Sequence, residues 1–165
     1  MGVHKAYIGL GSNMGDREGS LAQARGKLQK VPGLEVARLS RIYETEPQDH
    51  REQPWFANQV VEVQCTDMNP FDLLKILQHI EATLGRVRKT PKGPRTVDLD
   101  LLLFGTQTIH TAELTLPHPR MRERAFVLVP LHEICPTLVF PDGDTLTQAL
   151  SRVMFRLEDT RIWQS

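Results

Sequence analysis

Residues 93–105 read GPRTVDLDLLLFG, and how this stretch is read decides the fold. Residues 96–104 have the length, β-branched start and apolar density of a strand, bounded by Gly93-Pro94 and Gly105. Strand side chains alternate between faces. Val97, Leu99, Leu101 and Leu103 are therefore expected on one face, and Asp98, Asp100, Leu102 and Phe104 on the other, with the two Asp Cα atoms roughly 6.5–7 Å apart. Ionised carboxylates at that spacing repel and are costly to desolvate, so they need cations, either basic side chains or a hard divalent ion such as Mg2+.

Working outward, the order of elements leading to this strand is βαββαβ. A first strand at 6–11 (AYIGLG) runs into the turn-rich SNMGD. A helix capped by Asp16 then carries the stripe Leu21, Ala24, Leu28 and Val31 and stops at Pro32-Gly33. Residues 34–43 (LEVARLSRIY) alternate as a second strand and 56–65 (FANQVVEVQC) form a third. Between them, 44–54 (ETEPQDHREQP) is polar, proline-bounded and long for a connection, which marks it as a candidate functional loop. Asn69-Pro70 opens a second helix with Asp72 in its first turn and the stripe Leu73, Leu77, Ile80 and Leu84, ending at Gly85. This is the ferredoxin-like order, an α+β fold with an antiparallel sheet and helices on one side. A C-terminal extension follows. It holds a short hairpin near 106–109, the loop LPHPRMRER, an apolar segment AFVLVPLHEI that suits helix or strand, and an amphipathic helix after Pro141-Asp142-Gly143.

With 165 residues the chain is expected to form one domain, 1–165, and a monomer. Hydrophobic residues at 40% and charged residues at 24% are ordinary for a soluble protein, and no segment has the apolar length of a membrane span. The stretch before the first strand is too short for a signal peptide, so a cytoplasmic location is expected. Cys65 and Cys135 lie in apolar patterns with no CxxC or His-rich neighbour and are expected as buried free thiols. Lys plus Arg balances Asp plus Glu at 20 each, which points to neither a nucleic-acid nor a membrane partner.

The local distribution of charge carries more. Residues 86–95 (RVRKTPKGPR) are basic without an acid, and RMRER at 120–124 adds three arginines. Alone, such runs read as solvated faces; beside paired carboxylates they describe a site for a polyphosphate carried with its metal. Gly9, Gly11 and Gly15 have the spacing GxGxxxG rather than a dinucleotide fingerprint, so a tight strand-to-helix turn is expected there, and no P-loop motif is present. Asp98 and Asp100 either pair with arginines at a sheet end or hold a metal; rigid Gly93-Pro94 and the preceding Arg95 favour the metal. His118 between prolines suits a surface turn or, with Arg122 and Arg124 following, a phosphate contact. Phe56 and Phe126 fit core or a ligand stack. Asn58 is awkward as core because its amide needs partners, and it suits a flat heterocycle with amide-like edges. Glu81 suits a solvated position or contact with the basic loop or a nucleotide.

The combination GLGSN, Tyr43-x-Thr45, Asn58, GRVR, GPRTVDLDLLLFG and PHPRMRERAFVL resembles the 6-hydroxymethyl-7,8-dihydropterin pyrophosphokinases of folate biosynthesis, over residues 6–150. The resemblance implies transfer of a pyrophosphoryl group from ATP to the pterin hydroxymethyl oxygen by attack at the β-phosphorus, releasing AMP. It implies that Asp98 and Asp100 hold two Mg2+ and that Arg86 and Arg95 serve the phosphates. Gln78, Glu81, Arg88, Leu101, His118 and Arg124 would line the ATP site. The pterin would lie between Phe56 and Phe126, with Asn58 and the backbone around Thr45 reading its edge. Loops 44–54 and 86–94 are expected to close over the substrates. Two rivals share the architecture: a palm-type nucleotidyl transferase or cyclase, and an RNA-binding module, the latter disfavoured by the missing RNP1 pattern and by the carboxylates. Lys92 stands where the family often carries an aromatic, and a phosphate contact is expected of it. Lys92→Ala should therefore raise the KM for ATP or slow turnover, and unchanged steady-state kinetics would reject that role.

Overall fold

The computed structural model describes residues 2–46, 54–85 and 97–164. In chain order the first part comprises β1 (Val3–Ser12), α1 (Arg17–Gln29), β2 (Leu34–Leu39), β3 (Tyr43–Thr45), β4 (Phe56–Thr66), α2 (Pro70–Gly85) and β5 (Asp98–Phe104). Both helices start on the caps legible in the sequence. The Asp16 carboxylate accepts the Gly19 N–H at 3.0 Å. Asn69 and Asp72 cap reciprocally, each side chain accepting the other's N–H, at 2.8 and 3.0 Å. Leu21, Ala24 and Leu28 of α1 and Leu73, Leu77, Ile80 and Leu84 of α2 are all buried, packed with Ile8, Leu10, Val61, Val63, Leu99 and Leu101 of the sheet.

β1 lies between β4 and β5, antiparallel to both. The expected strand at 34–43 is divided. β2 and β3 both pair with β4, and Ser40 sits at the joint, where its Oγ accepts the Val60 N–H at 3.0 Å and its carbonyl accepts Gln59 Nε2 at 2.7 Å. Side-chain groups thus take over ladder positions, and the chain bends without leaving β4.

The alternation expected along β5 holds only as far as Leu102. Tyr7 pairs with Leu103, but the next residue, Ile8, pairs with Leu101, so Leu102 is the extra residue of a β-bulge. Leu99, Leu101 and Phe104 consequently share the face covered by α1 and α2, while Leu102 and Leu103 both belong to a second core with Tyr7, Val60, Leu128 and Leu131. The assignment of Leu103 to the first set and Phe104 to the second is reversed by that one residue.

The second core is built by the C-terminal part: β6 (Ile109–His110), β7 (Thr115–Leu116), α3 (Ala125–Ile134), α4 (Leu146–Ser151), β8 (Phe155–Glu158) and β9 (Arg161–Gln164). The small hairpin of β6 and β7 falls later than expected. The ambiguous apolar segment is α3, buried along nearly its whole length and lying on the face opposite α1 and α2. β9 runs parallel to β3 and pairs with β8, giving the order β5-β1-β4-β3-β9-β8 with β2 also on β4. Cys65 is buried, with burial pushing its thiol pKa up to about 11, and Cys135 is half-buried; both are free thiols. Among the described residues no helix is long and apolar enough to cross a membrane. Because Phe104 lies in the helix-covered core, Phe104→Ala should cost about 3–5 kcal/mol of stability in urea unfolding. Asp100→Ala, on the open side of the same strand, should cost far less, and comparable losses would contradict this assignment of faces.

Candidate functional site

Residues directly opposed in a sheet project to the same face, and two such rows cross β1 on the side facing α3. In one row Gly11 stands opposite Asn58 of β4 and Asp98 of β5; in the next Gly9 stands opposite Val60 and Asp100. Two strand spacings separate Asn58 from Asp98, about 10 Å, and the residue between them has no side chain. A Cβ at position 11 would lie 2.9 Å from Asn58 Oδ1, so the amide keeps its place only beside a glycine. At Gly9 a Cβ would make ordinary contact with Leu102 at 3.7 Å. Gly9 and Gly11 therefore belong to the strand and clear space beside the carboxylates. The expected tight turn needs only Gly15, at φ +57. Gly11 is the close approach that motif reading missed, although a glycine inside a strand is a recognised signal of one.

Next to this row Asn58, 6% exposed, donates from Nδ2 to Thr45 Oγ1 at 2.6 Å. Thr45 stands opposite Phe56 across β3 and β4. Phe56 is half-buried, and Phe126, also half-buried, lies in the first turn of α3. The Arg124 guanidinium sits 5.4 Å from the Phe126 ring centroid, within cation–π range.

His118 is held at the bulge. Its backbone N–H donates to the Leu102 carbonyl at 2.9 Å, and its Nδ1 accepts the Arg120 N–H at 3.2 Å. Accepting at Nδ1 selects the neutral imidazole with its proton on Nε2. Burial holds the pKa below the ordinary histidine value, Arg124 and Arg120 push the same way, and Asp100 opposes them. The structure thus brings Asp100, His118 and Arg124 into one electrostatic neighbourhood.

The remaining expectations divide. Glu81 Oε2 accepts the Leu99 N–H at 2.8 Å, on the strand at the end of the sheet, so this carboxylate anchors the strand that carries Asp98 and Asp100. Gln78 is exposed on α2. The Leu101 side chain is buried in the helix-side core, which leaves its backbone to meet a ligand. Arg122, offered above as a phosphate partner beside His118, is instead engaged by Asp142 at 2.8 Å and Asp144 at 3.4 Å and lies over the Phe140 ring. Arg86, Arg88, Lys92 and Arg95 fall outside the described residues, as do most of the loop at 44–54 and the loop at 86–94.

Asp98 is half-buried and Asp100 exposed, and among the described residues no group of three or more ligating side chains surrounds them. Two carboxylate-bearing side chains beside a glycine floor fit Mg2+ shared with phosphate oxygens and water, rather than a cation enclosed by protein alone.

The family model for 7,8-dihydro-6-hydroxymethylpterin-pyrophosphokinase matches residues 7–136. The 2-amino-4-hydroxy-6-hydroxymethyldihydropteridine pyrophosphokinase of Bacillus subtilis is 52% identical over 130 residues, 79% of this chain and 77% of that protein. The protein of the same name from Methylorubrum extorquens is 44% identical over 149 residues, 90% of this chain and 93% of its own. In fold, the chain is similar to the Plasmodium falciparum HPPK-DHPS structure with pteroate, at TM-score 0.71 and 15% identity, covering 97% of this chain and 47% of that one. The chain thus spans about half the length of that solved protein. Gly11→Ala, which pushes the Asn58 amide aside, should weaken pterin binding by about tenfold, the cost of one displaced buried hydrogen-bonding group, measured by calorimetry with the thermal midpoint little changed. Unaltered affinity would remove Gly11 from the site.

Proposed function

The chain belongs to the 7,8-dihydro-6-hydroxymethylpterin-pyrophosphokinase family, and from that premise we propose how its residues divide the work of an ATP-dependent pyrophosphoryl transferase of folate biosynthesis. The acceptor is 6-hydroxymethyl-7,8-dihydropterin and the released product is AMP. The observation that carries the assignment of roles is the row Asn58–Gly11–Asp98. It sets a reader of amide-like edges and a carboxylate on one open face, at a separation that a bicyclic ring with a one-carbon arm spans.

Asn58 and the backbone at Thr45 read the pterin edge, and Phe56 and Phe126 supply its apolar plates. Asp98 and Asp100 would hold two Mg2+. When bound, the ions offset charge on the triphosphate oxygens and help align the β-phosphorus with the hydroxyl. Arg124, together with Arg86, Arg88, Lys92 and Arg95 of the basic stretch, meets the phosphates, and neutral His118 donates from Nε2 to a phosphate oxygen. Leu101 contributes its backbone and Gln78 its exposed amide on the nucleotide side, while Glu81 acts through the strand it anchors. The hydroxymethyl oxygen bonds to the β-phosphorus as the bond from that phosphorus to the α–β bridging oxygen breaks. The bridging oxygen leaves on AMP, and the hydroxyl proton is released. We read residues 1–165 as one cytoplasmic, monomeric domain; the relatives do not favour a nucleotidyl transferase or an RNA-binding module.

The test is AMP formation from MgATP. It should require the dihydropterin, and Asp98→Ala and Asp100→Ala should each lower kcat by about a hundredfold or more. ATP turnover that proceeds without pterin, or survives both substitutions, would overturn this division of roles.

A further inference from the structure

The last described residue, Gln164, closes β9 beside the start of α3. Its Nε2 donates to the Glu123 carbonyl at 2.6 Å, and its Oε1 accepts the Ala125 N–H at 2.8 Å. Those two groups belong to the peptide units on either side of Arg124. One primary amide therefore brackets Arg124 as a neighbouring strand would, matching a donor to a carbonyl and an acceptor to an N–H. Arg124 stands in extended conformation, φ −114 and ψ 108, between the 3-10 turn Met121–Glu123 and α3. Its own N–H donates to the Met121 carbonyl at 3.3 Å and its carbonyl accepts the Val127 and Leu128 N–H groups at 3.0 Å, so the Gln164 amide acts on the two flanking peptide groups that those bonds leave. The Ala125 N–H is one of the donors that a helix start leaves unsatisfied, and its acceptor comes from 39 residues along the chain.

The same segment reaches the other wall of the site. The Gln164 N–H donates to Glu46 Oε1 at 3.1 Å, where the chain leaves β3 next to Thr45. Trp163 packs edge-on against Trp55, which precedes Phe56, with ring centroids 5.5 Å apart, and the Arg161 guanidinium lies 4.9 Å from the Trp55 ring.

We propose that Gln164 is a positioning residue: its side-chain amide fixes the backbone on both sides of Arg124 and so sets where that guanidinium meets the phosphates of ATP. This rests on the phosphate role assigned to Arg124 above. The amide is separable from the strand that bears it, because β9 is held to β3 by main-chain pairing and by Ile162 in the core.

Gln164→Leu removes the amide and keeps the size. Binding of Mg2+ with the α,β-methylene analogue of ATP is read by calorimetry, the KM for pterin by AMP formation, and stability by thermal melting. Affinity for the analogue should fall about tenfold, as for other residues that orient a ligand contact, while the KM for pterin changes less than about twofold and the melting midpoint shifts by only a few degrees. In an Arg124→Ala background the same substitution should add almost nothing, because the residue it positions is gone. Gln164→Glu, which can accept from Ala125 but cannot donate to Glu123, should lose part of the affinity and provides the same cycle if the leucine variant fails to fold. Unchanged affinity in both variants, or a full effect that persists without Arg124, overturns the proposal. Wild-type affinity in Arg124→Ala alone shows instead that the phosphate role of Arg124 is wrong, and the positioning role falls with it.

Discussion

The gap between Asn58 and Asp98 is one strand wide, and β1 fills it under two demands at once. Toward α1 and α2 it must offer bulk, which Ile8 and Leu10 provide. Toward the face of Asn58, Asp98 and Asp100 it offers almost none, because Gly9 and Gly11 stand there. The alternation of a strand allows both from consecutive residues. A side chain at Gly11 would displace the Asn58 amide, so the clearance between Asn58 and Asp98 depends on an absence. Further along the same face the space closes again, with the buried Tyr7 hydroxyl donating to Glu62 at 2.8 Å. The open part of the face is thus bounded along the strand as well as across it.

β5 carries both carboxylates and lies at the end of the sheet, where a strand ordinarily presents unpaired backbone. Contacts outside the ladder hold it, two of them beside the carboxylates and the bulge. Glu81 takes the Leu99 N–H from α2, and the His118 N–H reaches the Leu102 carbonyl at the bulge. The first anchors the strand between the two aspartates; the second ties the bulge to the loop bearing His118 and, further on, Arg124. Bulge, carboxylates and histidine are thus joined through one strand and the hydrogen bond at its bulge. Charge balance follows the same arrangement, with Asp100 acting on His118 against Arg120 and Arg124.

Much of this is legible in the residues alone. The helix stripes, both caps, the paired carboxylates and the awkward Asn58 depend on local pattern, and local pattern survives folding. What was not legible depends on partners remote in sequence or on patterns that carry no contrast. In the run LLLF a bulge moves one apolar residue past another and leaves no trace in the hydropathy. Ser40 breaks a strand because Val60 and Gln59 meet it from β4. Arg122 and Arg124 look equivalent in RMRER, yet Asp142 and Asp144 engage the former. Leu101 differs from its neighbours only in the face it occupies, and Gln164 looks like an ordinary residue near the end of the chain.

The parallel pairing of β9 with β3 joins segments far apart along the chain, with Arg161 and Glu44 in contact across 117 positions. During synthesis β3 leaves the ribosome long before β9 is made. The sheet around β1 and both main cores can form from residues already translated, as domains generally fold from their amino-terminal part onward. The cap on α3 and the tie to Glu46 must wait for the final strand. Among the described elements, the start of α3 and the end of β3 are therefore held together only once β9 has been made, after the sheet around β1 is already available to fold.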